Sequence, residues 1–218
     1  MLPRELGDDE IPAIVDGFRL AARAAMAAGF DGVELHGANG YLLDAFLRDG
    51  SNRRSGAYGG PIENRARLLI EVLEAVAAET PLMGLRLSPL NGYNAMADSD
   101  PIALTSWLAR RLNELPLDYL HIMRGDFLGQ QYGDVLSPVR EHYKGVLVAN
   151  MGYSAAEASS AISSGSIDAV AFGSAFLANP DLPERFRRDA ALNQPDPSKY
   201  YAQGPSGYTD YPFLEPQV

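Results

Sequence analysis

The sequence predicts an α/β fold built on a parallel sheet. Short apolar runs of strand length alternate with longer stretches of helical periodicity, and glycine, proline or capping signals separate them. Hydrogen-bonding side chains also gather directly after the first of these runs. Residues 9–28 read as an amphipathic helix with Ile11, Ile14, Val15, Phe18, Leu20, Ala21 and Met26 available for its buried stripe, and Gly29 is placed to stop it. A strand is expected at about 31–35, followed by a polar, glycine-bearing loop from Arg48 to Pro61. Helix returns over Ile62 to Glu79, where Leu68, Leu69, Val72, Leu73 and Val76 keep helical spacing. A strand at 82–87, a loop through Tyr93 and Asn94, and a helix at about 101–114 come next. Later strands are expected at 118–122, 145–149 and 168–172, which makes five. Between the last two, Ser154 and Glu157 have the spacing of a capping box that opens a short helix.

With 218 residues, 46% of them hydrophobic, the chain is expected to form one domain over 1–218, its tail from Asn193 wrapping the surface. A net charge of −10 argues against sequence-independent binding to nucleic acid or to an anionic membrane, both of which need basic patches. The absence of cysteine excludes disulfides, thiolate nucleophiles, iron–sulfur clusters and Cys-ligated zinc, and three scattered histidines suggest no metal cage. No apolar stretch reaches the ~18 residues of a spanning helix, and the acidic start is unlike a signal peptide, so a cytoplasmic protein is expected.

The stretch GFDGVELHGANGY carries the chemistry. In an α/β barrel, residues just past a strand's carboxyl end face the active site. His36 and Asn39 can both donate to one developing oxyanion, and Tyr41 is a phenol that can deliver a proton.

Four blocks extend this pattern: HGANGYLLDAFLRDGSNRRSGAYGGPIENRARLL (36–69), GLRLSP (84–89), AFGSAFLANPDLPERF (171–186) and GYTDYP (207–212). In content and order they resemble the old yellow enzyme family of FMN-dependent ene-reductases. The resemblance implies a (β/α)8 TIM barrel in which the His-Asn-Tyr strand is roughly the fourth of eight. The chain is therefore expected to form an incomplete barrel lacking the first three strands, which contact the flavin in the family. Two open sheet edges and an apolar seam would follow, to be covered by a homo-oligomeric partner or a complementing N-terminal half.

The resemblance also implies roles. His36 and Asn39 match the pair that grips a carbonyl, nitro or phenolate oxygen, and Tyr41 matches the proton donor to the α-carbon. Arg86 matches the arginine beside the N1–O2 edge of the flavin. Its bland alternative is an internal salt bridge with Glu34. Asn150, Met151 and Gly152, with Gly173 and Ser174, fall where the family binds the FMN phosphate, although many members have arginine at the position of Ser174. Tyr93, Tyr200 and Tyr201 fall around the substrate pocket, or else serve as packing anchors. Arg53 and Arg54 read as an anion site or, in preference, as a solvated loop tied to Asp49 and Glu63. The implied reaction is ping-pong: NADH or NADPH reduces FMN, which then passes hydride to the β-carbon of an activated alkene while Tyr41 protonates the α-carbon. The rival reading is a non-catalytic remnant or an oligomeric phenol-binding module without flavin.

Overall fold

The computed structural model of the chain describes residues 4–214. A 3₁₀ turn at Asp8–Glu10 leads into α1 (Ile11–Ala27). Its inward line runs through Ile11 and Ala22, which are buried, and through Val15 and Phe18, which pack against the core. Leu20 and Ala21, expected in this stripe, face outward instead, because the 11, 15, 18, 22 spacing follows the helical period more closely. Gly29 ends the helix with φ 90°, a left-handed conformation that a Cβ would oppose.

Five strands follow: β1 (Val33–Gly37), β2 (Met83–Leu87), β3 (Tyr119–Met123), β4 (Val146–Asn150) and β5 (Ala169–Ala171). They form one parallel sheet in sequence order, with β1 and β5 at its edges. The count and order match expectation. The first strand starts two residues later than expected, because pairing with β2 sets its register at Val33 opposite Met83.

Between β1 and β2 lie α2 (Leu42–Leu47), α3 (Ile62–Arg65) and α4 (Arg67–Ala77). The helix expected over 62–79 is thus broken at Ala66, and its five apolar residues are all buried on α4. Next come α5 (Pro101–Leu112), α6 (Leu136–His142) and α7 (Ala155–Ser163), with α8 (Ser174–Ala178) and α9 (Leu182–Arg187) after β5. At α7 the Ser154 hydroxyl accepts from the Glu157 amide at 3.2 Å, but the Glu157 carboxylate turns away to Arg124 at 2.5 Å, so only half of the capping box forms. The tail folds back on α9, where the buried Arg185 donates to the Pro212 carbonyl at 2.8 Å and the Leu214 amide donates to Asp181 at 2.7 Å.

The two faces of the sheet differ sharply. Leu35, Met83, Leu85, Leu87, Leu120, Ile122, Leu147 and Ala149 point to the helices and are buried. Alternation sends Glu34, His36, Arg86, Tyr119, His121, Met123, Val148 and Asn150 to the other face. That face is polar rather than the apolar seam expected.

Candidate active site

Apart from Tyr200 and Tyr201 on the tail and Arg53 and Arg54 in the loop before α3, the site residues expected from the sequence lie along one rim, the carboxyl ends of the five strands. His36 and Arg86 are register partners on the open face. After β1 the chain turns through Asn39, at φ 56°, and Gly40, at φ 70°. A Cβ on Gly40 would stand 2.6 Å from the Asn94 Cβ, so glycine is required where the β1 and β2 loops meet. Tyr41 then precedes α2, 55% exposed, its ring centroid 5.4 Å from that of His36. Beneath this turn the buried Asp44 accepts from the Gly40 amide at 2.9 Å and from Arg48 Nε at 2.9 Å. Arg48 in turn donates to the Ser88 carbonyl, and the Ser88 hydroxyl accepts from the Asn39 amide at 2.8 Å.

The donors needed for an oxyanion are free. Among the described residues neither the His36 ring nor Asn39 Nδ2 has a hydrogen-bond partner. Burial, and after it the nearby Arg86 cation, lowers the His36 pKa below its ordinary value. The ring is therefore neutral at pH 7, with one N–H to donate.

Arg86 does not form the salt bridge with Glu34 held as its alternative. Glu34 instead bonds His121 Nδ1 at 3.1 Å. Burial opposes ionisation of Glu34, yet the hydrogen bond and charge of His121, aided by Tyr119 and Arg86, hold its carboxyl below the usual range. Burial, with the Glu34 charge, pushes Tyr119 up to about 12. Among the described residues the Arg86 side chain makes one hydrogen bond, to Met123 Sδ at 4.0 Å, and burial lowers its pKa. A half-buried guanidinium without a carboxylate fits an anionic group on this face.

At the far end of the rim, Asn150, Met151, Gly152, Gly173 and Ser174 line one cleft of about 340 Å³, together with Met123, Tyr153 and Phe172. Among the described residues Asn150 Oδ1 is buried without a partner. Met151 has φ 86° and Gly152 φ 70°, and a Cβ on Gly173 would enter open space. The cleft therefore offers an unpartnered acceptor to a ligand with a polar end. Ser174 brings no charge to this cleft, as the sequence indicated.

Tyr93 packs against Phe127, with centroids 5.5 Å apart, at the edge of the rim. On the tail Tyr201 is 98% exposed and Tyr200 is half-buried. Arg54 is tied to Asp8, to the Leu6 carbonyl at 2.8 Å and to Glu5 at 3.1 Å, while Asp49 holds the Ser99 amide at 2.9 Å. The loop is thus pinned by acids other than the Asp49 and Glu63 expected.

Three supporting residues escaped the sequence reading. Asn91, fully buried, donates to Asn39 Oδ1 at 2.8 Å. Arg124 donates to the Met151 carbonyl at 2.8 Å and the Gly152 carbonyl at 3.1 Å, with its guanidinium 3.7 Å from the Tyr153 ring centroid. Asp126 gathers the amides of Gly92, Leu128, Gln130 and Gln131. The one signal in the sequence was a charged residue directly after the third strand.

A parallel β/α sheet with its functional groups at the strands' carboxyl ends defines a wall of a TIM-barrel-type protein. A family model described as NADH:flavin oxidoreductase / NADH oxidase matches residues 1–193, and the chain belongs to that family. It is 49% identical to a probable flavin mononucleotide-dependent alkene reductase of Leishmania infantum, over 98% of this chain and 59% of that protein. The old yellow enzyme from Trypanosoma cruzi superposes with a TM-score of 0.96 at 48% identity, covering 99% of this chain and 59% of that one. Morphinone reductase in complex with tetrahydroNAD superposes with a TM-score of 0.92 at 46% identity, over 98% of this chain and 58% of that one. The chain thus spans under two thirds of the length of these relatives. Among the described residues no helix is long and apolar enough to cross a membrane.

Proposed function

We propose that the chain carries the substrate-binding and proton-donating side of an FMN-dependent reductase of activated alkenes, with NADH or NADPH as reductant. The observation that carries this reading is the pairing, at one strand end, of two unpartnered oxygen-binding donors with a phenol, opposite an arginine that has no carboxylate.

On this reading His36 and Asn39 bind the carbonyl or nitro oxygen of an α,β-unsaturated substrate. Their N–H groups strengthen as negative charge builds on that oxygen, and one preplaced donor of this kind contributes about 2.7–4 kcal/mol to lowering the barrier. The neutral state of His36 matters, since an imidazolium would trap phenolates and enolates instead of releasing them. Tyr41 gives its proton to the α-carbon from the exposed side of the strand end. FMN, when bound, supplies the hydride to the β-carbon. Arg86 would hold the anionic edge of its ring, and Asn150, Met151, Gly152, Gly173 and Ser174 its phosphate end. Tyr93 and Tyr201 would border the substrate. The open sheet face must be covered for turnover, by the further length the relatives possess, by a complementing polypeptide or by a second copy of the chain. A single domain and a cytoplasmic location complete the proposal.

The test is the visible spectrum of the purified protein before and after addition of FMN and desalting, followed by NAD(P)H-dependent enone reduction. A retained flavin band with turnover supports the reading. A colourless protein that still binds a phenol favours the flavin-free binding module instead.

A further inference from the structure

The geometry points to Asn91 as the positioning residue that sets which end of the Asn39 amide faces the substrate oxygen. This rests on the alkene-reductase reading and adds to it a device that the strand-end residues alone do not contain.

An asparagine at an oxyanion site has a polarity problem. Its side chain is nearly symmetric in shape, but one end donates and the other accepts. Presented the wrong way, Asn39 would repel the oxygen it is meant to hold. The orientation is fixed here by a chain of hydrogen bonds that begins on a group with only one possible role. The Tyr93 backbone N–H, which can only donate, faces Asn91 Oδ1 at 3.4 Å. Asn91 Nδ2 must then point the other way, and it donates to Asn39 Oδ1 at 2.8 Å. Asn39 Nδ2 is the end left over, and it has no partner among the described residues.

The surroundings keep this relay from flipping. Asn91 is wholly buried, so water cannot satisfy a reversed amide. Its own amide donates to the Ser88 carbonyl at 3.0 Å, and the next amide, of Gly92, donates to Asp126 at 3.1 Å. Asn94 Nδ2 caps the Asn39 carbonyl at 2.9 Å, which holds the left-handed turn at Asn39. The β2 loop thus acts as a template for the β1 loop, and the polarity of the oxyanion site is set 52 residues away in sequence.

Asn91→Asp tests this with almost no change in shape. The carboxylate so introduced still accepts from Tyr93 but cannot donate, so Asn39 must rotate to donate Nδ2 inward and turn its oxygen outward. The flavin-loaded variant should bind 4-hydroxybenzoate about 100-fold more weakly, by charge-transfer absorbance. Asn91→Ala, which frees Asn39 without reversing it, should weaken binding about 10-fold. In flavin-free protein with labelled asparagine, the Asn39 side-chain amide protons should exchange with water more slowly in Asn91→Asp than in wild type. Phenolate affinity within about twofold of wild type in both variants, or unchanged Asn39 amide exchange, overturns the inference. A wild-type protein that takes up FMN but no phenolate overturns the alkene-reductase reading instead, and the amide exchange then decides the role of Asn91 alone.

Discussion

Replacing Arg48 with methionine tests the bracket that supports the strand-end turn. The Asp44 and Arg48 side chains are 2% and 1% exposed, and their ion pair at 2.9 Å is sealed from solvent. Removing the cation strands a carboxylate in the core, which costs about 3–5 kcal/mol. Burial already raises the Asp44 pKa above its ordinary value, with Arg48 and the Gly40 amide pulling against it. A carboxyl with a raised native pKa holds its proton more tightly folded than unfolded. The stability it contributes therefore falls as pH rises from its unfolded value toward its folded one. Without Arg48 that upper limit moves higher, so the penalty in Arg48→Met should be near its full size at about pH 8 and clearly smaller at about pH 5. Urea unfolding at the two pH values measures this. Arg48 Nη1 is buried without a partner, so the pair is imperfectly satisfied to begin with. Arg48→Met combined with Asp44→Asn should consequently recover all but about 1 kcal/mol, the remainder being the lost bond to the Ser88 carbonyl. An equal loss at both pH values, or a double variant no more stable than the single one, would refute the account.

Tyr41→Phe should slow alkene reduction by about 10²–10⁴-fold while leaving flavin reduction intact, as separated by stopped-flow half-reactions; equal losses in both would remove Tyr41 from proton transfer. Arg86→Gln should raise the midpoint of the His36 ring titration by NMR, since the nearby cation helps hold it down, and an unchanged or lower midpoint contradicts that cause. Gly40→Ala should destabilise the protein by more than about 1 kcal/mol, because φ 70° and the 2.6 Å approach to Asn94 both oppose a Cβ; a neutral result in thermal unfolding would show that the two loops do not meet as described.

What was legible in the sequence divides along physical lines. The five strands and the stripe on α4 were readable because each repeats a period that burial imposes. Short helices were not: α2, α6, α8 and α9 have five to seven residues each, too few to show a period, and tertiary contacts hold them. For α2 that contact is the burial of Leu43, Phe46 and Leu47, with the local Asp44–Arg48 pair added, whose i, i+4 spacing could have marked it. The groups on the rim were legible because strand order places them there, whatever the loops do. Asn91 and Arg124 were not, since each acts on a loop from a different strand. Asn91 reaches back to Asn39, and Arg124 reaches forward to Met151 and Gly152. A relation between two loops has no local pattern to read.

The same distinction explains why the open face of the sheet is not the apolar seam that an exposed barrel wall suggests. A hydrophobic face would be satisfied by any greasy partner, whereas this one has specific unmet requirements. Glu34 is already matched by His121, which removes the nearest carboxylate that Arg86 might have used. Among the described residues His121 Nε2 and Asn150 Oδ1 are buried without partners, on the adjacent strands β3 and β4. On the proposed function, whatever lies against the face would bring negative charge to Arg86 and a hydrogen-bond donor to Asn150 Oδ1, and would leave His36, Asn39 and Tyr41 open. On that reading a flavin would answer Arg86 with the anionic edge of its ring, while Asn150 Oδ1, an acceptor, calls for a donor that a phosphate does not supply.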